Sequence, residues 1–347
     1  MVFDKNFWDL LILVILVQAV TQTFKVNHYD EKVLRFVSRL SGDLRYTLVI
    51  PPLIFGLLPM PAGAMLTADL TQKAGDTLNV QKKWLFFFNY WFRHVCEFSW
   101  PLYGALILSA GIAGIPVKDF LFTTFLYMFL TFIAGILYLF IKVKKIRNGD
   151  KENFTFWTFL KGAFETLWPV IILIVLVLIK VEMKLAVLLT LLLLFIIEKT
   201  KAKDVVTTLK NAILSEITLI VFVVLIFKGV VERTNVLSLF ADFLNKHNVP
   251  QIVPVIILPM AMSFLTGITS AGIGSTAPIL KGLYVFNPYF PYLAYVSAIC
   301  GVLISPFHLC FITTKEYYKI SFKEAYSTVI IPVLFVMAVA VIKSIVI

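Results

Sequence analysis

Apolar runs separated by short polar breaks dominate the chain from end to end. About eight of them read as membrane crossings, near 7–24, 97–114, 118–141, 164–180, 183–197, 211–231, 289–313 and 327–346. Some are close to the lower limit of about 17 residues for a spanning helix. The polar breaks carry the orientation. Lys142, Lys144, Lys145, Arg147 and Lys151 share one break, Lys199, Lys201, Lys203 and Lys210 a second, and Lys315, Lys319 and Lys323 a third. Short loops rich in lysine and arginine stay in the cytoplasm. The break Gly114–Val117 has no charge and is expected outside. The pattern predicts an all-α, multi-pass protein of the cell (inner) membrane, with both termini extracytoplasmic.

Two further apolar stretches do not suit a single straight helix. Ile50–Ala64 contains four prolines and two glycines, and proline removes a helical hydrogen bond and clashes with the preceding turn. Val249–Gly282 holds Thr266, Gly267, Thr269, Ser270, Gly272, Gly274, Ser275 and Thr276 in close succession. Both stretches, taken as 46–75 and 249–282, are expected to be re-entrant hairpins of two short helices with a broken tip. Irregular backbone at membrane depth survives only where protein or a wet cavity satisfies it.

The two hairpins belong to a repeat. Laying the chain on itself places Phe7–Phe24 over Leu214–Val231, Gly56–Pro59 over Ser263–Thr266, and Lys32–Leu40 over Leu239–His247. With a short gap Pro101 meets Pro306, each closely preceded by serine, Ser99 and Ser305. The likeness is one of pattern, not letters. An odd number of crossings separates the copies, so they are expected to be inverted, which is the architecture of secondary transporters. The division that follows is 1–141 for the first repeat, 142–210 for a central linker with two scaffold helices, and 211–347 for the second. Two predicted crossings precede the second copy and none precedes Phe7. Either the first repeat lacks an N-terminal pair, or the central pair is an insertion.

Composition narrows the class. The chain is 60% hydrophobic and 15% charged, with a mean hydropathy of +0.91, against about half apolar and a quarter charged in soluble domains. Its net charge of +11 sits in the loops, so it speaks for membrane lipid as a partner and not for nucleic acid. Cys96, Cys300 and Cys310 lie in apolar segments without metal spacing and read as packing residues. Phe7–Val20 lacks a basic start and a small-residue cleavage site, and reads as a crossing. No GxxxxGK[ST] loop is present, so an ion gradient or passive flow would drive transport.

The candidate chemistry centres on Asn89-Tyr-Trp-Phe-Arg93-His94-Val-Cys-Glu97-Phe-Ser-Trp100-Pro101. Ionisable groups at membrane depth cost about 2.5–3.5 kcal/mol each on insertion scales. On a continuous helix Asn89, Arg93 and Glu97 share a face, and the last two can neutralise each other. Two readings fit, a polar cluster on a substrate path or a helix end whose charges reach the headgroups. At the hairpin tips, helix N-termini attract anions, and carbonyl ends with hydroxyls suit Na⁺. The expected site joins Pro59 and Gly63 of tip one, Thr266, Gly267, Thr269 and Ser270 of tip two, Asn89, Arg93, His94 and Glu97, and Ser305 and His308. Arg93 would face a small anionic solute, while His94 or Glu97 would carry a proton or steady Arg93. Single hydroxyls also serve ordinary helix contacts. Two other classes stay open. One is a cation/proton antiporter working through Glu97 and His94. The other is a membrane metalloenzyme or assembly factor using His94, Glu97 and His308, although HExxH is lacking.

Gly56–Ala64, Asn89–Tyr103 and Ser305–Tyr317 resemble the prokaryotic membrane family called domain of unknown function four hundred and one. The resemblance runs from about residue 7 to the C-terminus. The family is grouped with the ion-transporter superfamily, alongside gluconate, lactate, citrate and dicarboxylate permeases. It implies paired hairpins, a scaffold with a moving transport domain, Na⁺ or H⁺ coupling without an organic cofactor, and, by analogy, a homodimer. Members typically carry further N-terminal helices, matching the gap in the first repeat and raising the expectation of a truncated start.

Overall fold

The computed structural model describes residues 5–29, 31–32, 36, 44–57, 63–144, 156–179, 181–234 and 236–346. Among them every regular element is a helix and no strand is present. The first half runs α1 (Lys5–Val26), a 3₁₀ turn at Leu44–Leu48, α2 (Ile50–Gly56), α3 (Gly63–Thr77) and α4 (Lys82–His94). A 3₁₀ turn at Val95–Phe98 follows, then α5 (Gly104–Ala113) and α6 (Val117–Lys142). The centre holds α7 (Phe156–Leu178), α8 (Met183–Ile197) and α9 (Ala202–Ile213). The second half runs α10 (Glu216–Arg233), α11 (Val236–Lys246), α12 (Ile252–Thr266), α13 (Thr269–Leu280), α14 (Phe290–Leu303), α15 (Leu309–Tyr318) and α16 (Phe322–Val346). From α2 and from α12 onward the described helices follow one order, a pair of helices, a broken helix, then a long apolar helix, with α11 standing between α10 and the second pair.

Local sequence sets these boundaries. α2 opens with proline in its first turn, where the missing N–H has no partner to lose. α12 ends at Gly267, whose φ of +69° is the left-handed cap that glycine adopts without penalty. Its N–H donates to Ser263 O at 2.8 Å.

Phe7–Val26, Val117–Lys142 and Phe322–Val346 are long and apolar enough to cross a membrane. Ala202–Ile213 with Glu216–Phe227 makes a fourth if the pair, bent by 40°, counts as one span. Besides 211–231, which begins in the last turn of α9 and continues into α10, two predicted crossings are not single helices. The stretch 97–114 holds a 3₁₀ turn, the Pro101 break and only then α5, and 289–313 is α14, a break at 304–308, and the start of α15. Their apolar content suited a crossing, but Pro101 and Pro306, each with a nearby serine, interrupt the backbone ladder.

Burial separates two kinds of helix. Every residue of α4 from Leu85 to His94 is buried, and so is nearly all of α14. These two helices, covered on every side, form the centre, and α4 takes Asn89, Arg93 and His94 inside with its aromatics. α6 and α16 instead turn one side outward, with Ile141 71% and Ile331 63% exposed. Such apolar outer faces suit a lipid solvent.

Candidate functional site

The chemistry gathers at the two helix breaks, and each break receives the end of its own half's helix pair. In the first half, Trp100 Nε1 donates to Leu57 O at 3.0 Å. Tyr103 O–H donates to Gly56 O at 2.9 Å and accepts from an Arg93 guanidinium N–H at 2.8 Å. A Cβ on Gly56 would stand 2.8 Å from Arg93 O, so the end of α2 lies directly on the α4 backbone. Asn89 Oδ1 accepts from Thr67 at 2.6 Å and Thr71 at 3.3 Å, tying α3 to α4.

In the second half, Ser305 Oγ donates to Phe264 O at 2.5 Å and accepts from Phe307 N–H at 3.1 Å. His308 Nδ1 lies 2.8 Å from Gly267 O. A Cβ on Gly267 would meet the Phe307 carbonyl carbon and oxygen at 2.7 Å, so the α12–α13 turn rests against the second break.

The halves then meet through polar contacts. Thr269 Oγ, on the first residue of α13, donates to Glu97 Oε1. Tyr295 O–H donates to Glu97 O at 2.7 Å, and Tyr90 O–H to Leu303 O at 3.1 Å. His94 Nε2 and His308 Nε2 lie 2.9 Å apart, and His94 Nδ1 lies 2.7 Å from Tyr90 O. Arg93 is 4% and Glu97 7% exposed. Charges this deep act in a low dielectric, where each attraction is stronger than in water and each unmet group costs more. The Glu97 carboxylate sits at the N-terminal end of α13, the partly positive end of the helix dipole.

The structure therefore brings Arg93, His94, Glu97, Gly267, Thr269, Ser305 and His308 to one region. Ser270 is buried on α13 beside Thr269. Other expectations turn out differently. Pro59 lies outside the described residues, and Gly63 opens α3. Asn89 faces α3. Thr266 is exposed and bonds back to Met262 O at 2.8 Å within its own helix. α4 ends at His94, so the helical spacing from Arg93 to Glu97 gives way to a 3₁₀ turn.

Four residues were missed. Tyr90 and Tyr295 are buried and Tyr103 partly so, and hydroxyls so placed need partners, which was the available signal. Cys310, read as packing, has its sulfur within 4.8 Å of ligand nitrogens of both His94 and His308. Of the His94, Glu97 and His308 trio, the histidines do meet. Glu97 turns to Thr269, and Cys310 stands third.

No curated protein matches the chain. The family described as "Protein of unknown function (DUF401)" matches residues 2–347, and the chain belongs to that family.

Proposed function

We propose that the chain is a secondary transporter of a small organic anion in the cell membrane, coupled to Na⁺ or H⁺. The observation that carries this reading is the meeting of two helix breaks. Each is docked by a helix pair from its own half, and the halves touch through Glu97 with Thr269 and His94 with His308. Discontinuous helices that meet in this way are how transporters place free backbone groups and side chains around a solute. The matching order of elements in the two halves supports two inverted copies, with α2–α3 and α12–α13 as the re-entrant pairs. Arg93 is the group suited to an anion's charge. Thr269 and Ser270 supply hydroxyls, and Gly267 lets the tip approach the second break.

Purified protein is melted across carboxylates and inorganic anions, each with and without Na⁺. Ligand at a hundred times its dissociation constant stabilises the folded state by about 2.7 kcal/mol. A rise with one anion, larger with Na⁺ or at lower pH, supports the reading. No anion raising the melting point, together with undiminished uptake in Arg93→Ala vesicles, overturns it.

A second reading draws on the carboxylate of Glu97, buried between the halves at the end of α13. It is cation/proton exchange, and it expects Na⁺-driven proton flux with no organic solute.

A further inference from the structure

The two histidines hold a chemical property that anion transport leaves unused. Nδ1 of His94 lies 2.7 Å from Tyr90 O, and Nδ1 of His308 lies 2.8 Å from Gly267 O. A carbonyl oxygen only accepts, so each Nδ1 carries the hydrogen. In a neutral imidazole the other nitrogen is then a bare lone pair. Those bare nitrogens are the two Nε2 atoms, and they face each other at 2.9 Å. Two lone pairs at that separation repel unless a cation stands between them. The Cys310 sulfur completes the group, with all three ligand atoms within 4.8 Å of one another. His94 and Cys310 are buried and His308 is partly exposed, which leaves approach from the His308 side.

We propose that His94, His308 and Cys310 form a binding site for a thiophilic divalent metal ion of the Zn²⁺ class. Two imidazole nitrogens and a thiolate are donors that zinc accepts, whereas Mg²⁺ and Ca²⁺ take oxygen. A backbone carbonyl on Nδ1 is the support that fixes a metal-binding histidine with Nε2 forward. Metal–nitrogen bonds of about 2.0–2.1 Å in a tetrahedron place the nitrogens about 3.4 Å apart. The rings must therefore part by about half an ångström from the 2.9 Å seen here. Binding forms two metal–nitrogen bonds and one metal–sulfur bond. It releases to solvent the thiol proton of Cys310 and any proton shared by the imidazoles. Three protein donors leave the fourth position of a tetrahedral ion for water or an anion. His94 ends α4, His308 lies in the second break and Cys310 is in α15, so the ion would staple the two halves together.

The site goes beyond the transport reading and is tested without a flux assay. Purified full-length protein is titrated with Cd²⁺, following the ultraviolet charge-transfer band of a cadmium–thiolate bond, and Zn²⁺ is then added as competitor. One Cd²⁺ per chain is expected, displaced by Zn²⁺. The band should vanish in Cys310→Ser, and the dissociation constant should rise about 10–100-fold or more in His94→Gln and His308→Gln. In a Cys96→Ser/Cys300→Ser double variant, which leaves Cys310 as the sole thiol, the band should be unchanged. That variant keeps the test decisive if Cys310→Ser does not fold. No band in the unaltered protein, a band that survives Cys310→Ser, or a band lost from the folded double variant overturns the site and leaves the imidazoles bridged by a proton.

Discussion

The two helix breaks face one requirement, a place for the end of a helix pair, and they meet it with different side chains. The first uses aromatic donors, Trp100 on Leu57 O and Tyr103 on Gly56 O. The second uses a small hydroxyl and an imidazole, Ser305 on Phe264 O and His308 on Gly267 O. Enclosure differs as well. Trp100 and Leu102 are buried beside the first break, whereas Phe307 and Leu309 are exposed beside the second, as are Thr266 and Ile268 across from them. Bulky rings fix the first contact inside the protein. The second combines small polar groups with access to the surface.

Arg93→Ala should have the largest effect. Arg93 belongs to the enclosed break, where it supports Tyr103, and it is the cation assigned to the solute. Uptake in vesicles should fall below a tenth of the unaltered level, with membrane insertion retained; near-normal uptake would remove Arg93 from the mechanism. Ser305→Ala, the corresponding change at the open break, should leave measurable uptake.

The paired glycines sharpen the comparison on stability. Gly267→Ala forces a side chain into a φ of +69° and sets its Cβ 2.7 Å from the Phe307 carbonyl group. The left-handed conformation alone costs about 1–2 kcal/mol, and the contact adds to it, because backbone cannot step aside as a side chain does. Gly56→Ala meets Arg93 O at 2.8 Å without a positive φ, so it should lower the melting point by less. Equal losses would show that the turn at Gly267 tolerates a side chain and that the second break is looser than drawn.

Tyr103→Phe should come next. It removes the hydroxyl shared by Arg93 and Gly56 O, and each buried partner left unsatisfied costs about 1–3 kcal/mol. Ser305 is itself buried, but Ser305→Ala strands the carbonyl of half-buried Phe264 and the N–H of exposed Phe307, both nearer the surface than the buried Arg93 and Gly56. A larger melting-point loss is expected for Tyr103→Phe, and the reverse order would invert the contrast between the breaks.

How much of this was readable from the residues follows from range. Asn89–His94 announced itself in part, because Arg93 and His94 within an aromatic run have few places to go except a protein interior. The apolar pattern, however, predicts a crossing only from residue 97 and misses the buried helix Lys82–His94 before it. The Gly267 turn was readable too, since glycine between hydroxyl residues in an apolar stretch marks a broken helix. Pro101 and its counterpart Pro306 marked a bend, but the apolar mean over 97–114 and 289–313 hid that each bend is a full break between two helices. Partner choice was out of reach. His94 finds His308 across 214 positions and Glu97 finds Thr269 across 172. A local pattern can place Arg93 and Glu97 on one face, but it does not say that the helix stops at His94. Cys310 shows the same limit, since nothing within its own helix makes a buried thiol anything but packing.

Thr266 and Thr269 give the smallest expected effect and the finest test. Both stand beside Gly267 in the tip, and the sequence offers no reason to rank them. Thr269 spans the halves, donating to a carboxylate that is 7% exposed. Thr266 is exposed and its hydroxyl returns to Met262 O in its own helix, a carbonyl the α-helical ladder already engages. Valine keeps the shape of threonine and removes only the hydroxyl's bonding. Thr269→Val leaves Glu97 short of a donor at the junction and should cost about 1–3 kcal/mol, seen as a lower melting point and altered uptake. Thr266→Val should stay within about 0.5 kcal/mol, the range of surface changes that break nothing buried. Should Thr266→Val abolish uptake while leaving the melting point unchanged, the exposed hydroxyl would be a solute ligand after all. The outer lip of the second break would then join the site, in place of the buried junction alone.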